Sequence, residues 1–121
     1  MKVSSFLRKW YNKSIEDYGG VTSPEYREFE KDYKSTLNEI AKEINFTLYQ
    51  FNGNHYEFSA VIQDNESNKF YYISISDVRY WKNEWADKIL YRTMEHDKDW
   101  HGGPNHYSNL KNLKDNLLKL K

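Results

Sequence analysis

The chain has 121 residues, and its eighteen basic and eighteen acidic side chains cancel. That length suits one domain spanning residues 1–121, and the balance argues against a strongly basic nucleic-acid binder and against an acidic DNA mimic. The absence of cysteine removes disulfides, a thiolate nucleophile and Cys-ligated zinc.

From the amino terminus, Met1–Phe6 lacks the apolar run of a signal peptide, and no later stretch approaches a membrane span. A soluble, cytoplasmic protein with no membrane partner is expected. Phe6, Leu7, Trp10, Tyr11, Ile15 and Tyr18 recur at helical spacing, which predicts a first helix over Ser5 to Tyr18, stopped by Gly19-Gly20. Ser23 then reads as a cap and Pro24 as the first residue of a second helix. Its apolar stripe is Tyr26, Phe29, Tyr33, Leu37, Ile40 and Ile44, with charged residues opposite.

The period changes at Phe46. Thr47 to Phe51 is a short β-prone run, and Asn52-Gly53 is a hairpin turn signal. Tyr56, Phe58, Ala60 and Ile62 alternate with polar residues as a half-buried strand requires. After the polar connection at 64–68, Lys69 to Ser76 and Lys88 to Glu95 supply a third and a fourth strand. Short connections make the sheet an antiparallel meander. Ser108 reads as the cap of a last helix carrying Leu110, Leu113, Leu117 and Leu120. The predicted class is α+β: two N-terminal helices, a four-stranded antiparallel meander and a C-terminal helix.

Chemistry-bearing residues concentrate late in the chain. Three of four histidines and three of four tryptophans fall between Trp81 and His106, around Gly102-Gly103-Pro104. Loops of this kind carry function on rigid scaffolds. His96, Asp97 and Asp99, with His101 and His106, are weak metal-ligand candidates, because their spacing matches no helical or HxH pair. Asp77, Arg79, Arg92 and His96 are expected to converge where strand ends meet. No nucleophile elbow, phosphate loop or other catalytic set is present, so no catalytic residues and no cofactor are expected, and a metal-dependent nuclease ranks third among the readings. Aromatics interleaved with Arg79, Lys82, Arg92 and Lys98 also fit a single-strand nucleic-acid binder, although Glu84, Asp87, Asp97 and Asp99 would repel phosphate. Tryptophan, tyrosine and arginine dominate protein interfaces as well, and a neutral domain with such a loop fits a partner-binding module. The contact set expected for it is Arg79, Trp81, Trp85, Arg92, His96, Lys98, Trp100 and His101.

Asp77-Val78-Arg79, Ile89-Leu90-Tyr91-Arg92-Thr93, His96-Asp97-Lys98-Asp99 and Gly102-Gly103-x-Asn105 occur in that order. The string resembles a signature in small uncharacterised proteins encoded by phages and other mobile elements of Gram-positive bacteria, over Tyr72 to Leu120. Proteins of this size and origin include anti-CRISPR and other anti-defence inhibitors. The resemblance implies a non-enzymatic accessory protein that binds a bacterial effector such as a CRISPR nuclease; the interleaved aromatics and cations leave nucleic acid as the alternative partner.

Overall fold

Ser23 and Pro24 start the longest helix as their chemistry requires. The Ser23 hydroxyl accepts the Tyr26 amide at 3.0 Å, and Pro24 occupies the first turn, where its missing N–H costs nothing. The computed structural model describes residues 1–15, 23–54, 56–80, 82–99 and 103–121. Their order is α1 (Val3–Trp10), α2 (Pro24–Glu43), β1 (Phe46–Asn54), β2 (Glu57–Asp64), β3 (Phe70–Ile75), α3 (Glu84–Asp87), β4 (Ile89–Met94), β5 (His106–Ser108) and α4 (Leu113–Leu120). The class is α+β, with one antiparallel five-stranded sheet in the order β1-β2-β3-β4-β5. No described helix is long and apolar enough to cross a membrane.

α1 ends at Trp10, well short of Tyr18. Asn12 adopts a left-handed conformation (φ 67°), which asparagine tolerates better than most side chains. It is locked by reciprocal bonds with Asn83, 2.9 Å from its backbone amide and 2.8 Å between the two side chains. Gly19-Gly20 lies outside the described residues. The Asn52-Gly53 turn is also displaced: both residues stay in β1, paired with Ser59 and Phe58. The Glu30 carboxylate of α2 lies over Gly53, and a β-carbon there would displace it. Two short elements, α3 and β5, add to the predicted set, so the meander has five strands where four were expected. Ser108 belongs to β5 and does not cap α4; its hydroxyl donates to the Asn109 carbonyl at 2.8 Å and accepts from Asn116 at 2.7 Å.

One face of the sheet meets the helices. Phe58, Ala60, Ile62, Tyr71, Ile73 and Ile89 share a buried cluster with Phe6, Trp10, Phe29, Tyr33, Leu113 and Leu117. At its centre the Trp85 indole makes edge-on contacts with Phe6 and Phe29, each at 5.2 Å between centroids. The Tyr33 hydroxyl donates to the Trp85 carbonyl at 2.7 Å, so α3 is fastened to α2 by packing and by a buried hydrogen bond.

Candidate functional site

Strand alternation assigns the opposite, outer face. It carries Ser59 and Val61 of β2, Tyr72 and Ser74 of β3, Leu90, Arg92 and Met94 of β4, and Tyr107 of β5, aligned by the registers Val61↔Tyr72↔Arg92 and Ser59↔Ser74↔Leu90↔Tyr107. This face has two halves. In one, Val61, Arg92 and Met94 are buried. The segment after β4 folds back there: Arg92 donates to the Asp99 carbonyl at 3.1 Å and to the Thr93 carbonyl at 3.3 Å, while its guanidinium lies 4.7 Å from the centre of the Tyr72 ring.

The returning segment is tied at further points. Tyr49, at the bulge of β1, reaches past β2 to meet Phe70 edge-on at 5.1 Å. Its hydroxyl donates to Asp97 at 3.2 Å, a bond that raises the phenol pKa. Asp99 accepts the Glu95 amide at 3.0 Å, and His96 Nδ1 accepts the Lys98 amide at 3.2 Å. The Gly103 amide donates to the Thr93 carbonyl at 3.1 Å, and a β-carbon on Gly103 would strike the Thr93 hydroxyl. The three weak metal candidates His96, Asp97 and Asp99 therefore hold the loop's own shape. Among the described residues no three His, Asp or Glu side chains converge as a metal site. His106 stacks on Tyr91 at 5.3 Å, on the sheet face opposite Arg92.

The other half is open. A cleft of about 460 Å³ lies over Asn52, Glu57, Ser59, Tyr72 and Ser74, and a smaller one of about 240 Å³ continues to Lys88, Leu90 and Tyr107. Tyr107 is 54% exposed, with the Lys88 ammonium 5.3 Å from its ring centre. Tyr49 is 45% exposed and Tyr80 69%.

The expected contact set divides sharply against this geometry. His96 and Lys98 are exposed beside the returning loop. Arg92 is buried, so it braces the loop and presents no free guanidinium. Trp85, 2% exposed, is a core residue and is removed from the contact surface. Trp81, Trp100 and His101 lie outside the described residues. Arg79 sits at the other end of the sheet, paired with Asp77 at 2.7 Å and held between the rings of Tyr56 and Tyr80 at 4.4 and 4.9 Å. The expected convergence of Asp77 and Arg79 with Arg92 and His96 therefore fails. Asp77 follows Ile75 whereas His96 follows Met94, which pairs with Phe70, so the length of β3 separates them, about 17 Å at ~3.4 Å per residue.

Tyr49, Ser74, Lys88, Leu90 and Tyr107 were missing from the expected set. The available signal was period-two alternation: Leu90 lies between core-facing Ile89 and Tyr91, and Ser74 between Ile73 and Ile75. No protein-family model, curated protein or solved structure matches the chain.

Proposed function

We propose that the protein is a binding domain of a phage or other mobile element that inhibits a bacterial defence nuclease, in the manner of an anti-CRISPR protein. The outer sheet face and the loop at 95–99 occupy the nuclease surface and exclude its substrate by bulk. The protein would act in the cytoplasm of the bacterial host and would itself catalyse nothing.

One observation carries this reading. On the open half of the outer face the exposed Tyr107, with the Lys88 ammonium beside its ring, borders a shallow polar cleft, and the other half carries a loop held at Arg92, Tyr49 and Gly103. Rigid aromatics that lose little freedom on docking, with cations at the margin, are the groups that dominate protein interfaces. Of the four cations expected to meet phosphate, Lys82 and Lys98 are exposed, while Arg79 and Arg92 are turned to internal partners. That favours a protein over a nucleic-acid ligand.

The test mixes the purified protein with guide-loaded CRISPR effector nucleases from its host. Co-elution after nuclease digestion of free nucleic acid, with loss of target cleavage, is expected. Absence of a complex with unchanged cleavage overturns the reading. Retention on bare single-stranded DNA, weakening steeply with salt, replaces it by the nucleic-acid one.

A further inference from the structure

Two clefts on the helical side run into one another. The first, about 500 Å³, has Ile40 and Leu110 at its base and Val3 and Leu7 along its wall. The second, about 430 Å³, continues past Leu7 to Ala86 and Tyr11. Leu7 and Lys111 line both, so together they form one groove beside α1 from Lys2 to Tyr11, about 14 Å at ~1.5 Å per residue. Val3 and Leu7 pack on the core and still reach solvent.

The rim is cationic. Lys2 and Arg8 stand on one side, Lys111 and Lys114 on the other. Two acids reach it: Glu43 pairs with Lys114 at 3.1 Å, and Asp87 accepts the Tyr11 hydroxyl at 3.0 Å and keeps its charge, so four cations face two carboxylates. Among the described residues Lys2, Arg8 and Lys111 take part in no ion pair. In a chain of zero net charge, this groove gathers unneutralised positive charge around an apolar floor.

We propose that the groove receives an acidic amphipathic helix of a protein partner. Its apolar stripe fills the space over Ile40, Leu110, Val3 and Leu7, and carboxylates on its flanks meet Lys2, Arg8 and Lys111. Cations on both walls with apolar residues between them demand the inverse pattern in the ligand, and a helix with apolar residues at i, i+3 or i+4, and i+7 supplies it. The groove is open along its length, which suits a helix lying in it. The residues are disjoint from those of the outer sheet face, so this proposal stands or falls separately from the proposed function.

The test uses the full chain and a labelled peptide of about four helical turns, with leucine at those positions and glutamate elsewhere. Its lysine-for-glutamate counterpart and oleate serve as competing ligands. Fluorescence anisotropy and amide shifts are expected to show saturable binding of the acidic peptide, with shifts confined to residues 2–11, 40–43, 86–87 and 109–114. Affinity is expected to fall about tenfold or more in R8E/K111E. The single exposed change K111E weakens binding by a smaller factor and stands in if the double variant does not fold. Tyr107→Arg leaves it unchanged. Absence of saturable shifts, equal binding of the lysine peptide, indifference to K111E, or shifts produced by oleate and not by the acidic peptide would overturn the proposal.

Discussion

Replacing Arg92 by methionine keeps an unbranched stem about as long as the arginine's up to Nε and removes the guanidinium with its charge. Two hydrogen bonds disappear, at 3.1 Å to the Asp99 carbonyl and at 3.3 Å to the Thr93 carbonyl, together with the stacking of the guanidinium on Tyr72. Hydrogen bonds to charged groups are worth about 1.5–3 kcal/mol each, and the longer one belongs at the low end. A desolvated cation–π contact adds about 1–2 kcal/mol. Against these stands the cost of burying the guanidinium, which methionine escapes while still covering Tyr72. The net loss is about 2–3 kcal/mol, which for a domain of this size lowers Tm by roughly 10 °C. Urea denaturation, with the slope unchanged, measures it, and hydrogen exchange should quicken first in the segment around Glu95–Asp99. A variant within about 0.5 kcal/mol of the parent would refute the assignment of Arg92 as a brace. It would return the side chain to the contact surface.

Trp85→Ala should cost about 3–5 kcal/mol in the same denaturation assay, a large part of any small domain's stability, whereas a surface tryptophan would cost almost nothing. Gly103→Ala should destabilise by about 1–3 kcal/mol through its clash with the Thr93 hydroxyl. Thr93→Ala in the same chain should recover most of that, because the next atom stands 3.8 Å away; additive losses in this double-mutant cycle would contradict the geometry. Burial alone would raise the Asp64 pKa, but the Glu66 amide, the Ser67 hydroxyl and the Lys121 ammonium outweigh it and lower it. A folded pKa below the unfolded one means stabilisation present above the unfolded value, about 3.9, and lost as pH falls through the folded one. Asp64→Asn should therefore be less stable at pH 7 and lose less between neutral and acid pH, as acid titration followed by circular dichroism would show.

The parts of the fold written in local chemistry were legible. Ser23-Pro24 and a complete apolar stripe fixed α2, and alternation fixed the core-facing residues Phe58, Ala60 and Ile62. What escaped depends on contacts distant in sequence. The end of α1 is set by Asn83, far along the chain from Asn12. Asn52-Gly53, a residue pair typical of a tight turn, is used inside a strand paired with Ser59 and Phe58. The three residues of β5 and the four of α3 are too short to show a period.

Of the contact residues expected from the sequence, Trp85 and Arg92 are buried and Arg79 lies at the far end of the sheet from His96. Tryptophan is among the more buried side chains on average, and Trp85 follows that rule despite its position in a loop-rich stretch. Arg92 does point outward, as alternation requires, but a returning loop covers it. Placing Arg79 beside His96 overlooked that successive connections of a meander alternate between its ends.

The affinity of the S74R/Y107R variant for the nuclease that the proposed function assigns to the outer face tests that account most directly, because both changes put bulk and charge on the open half of the sheet without touching the core. A loss of about a hundredfold or more, with unfolding unchanged, is the expected result. Undiminished binding by that folded variant would contradict the account.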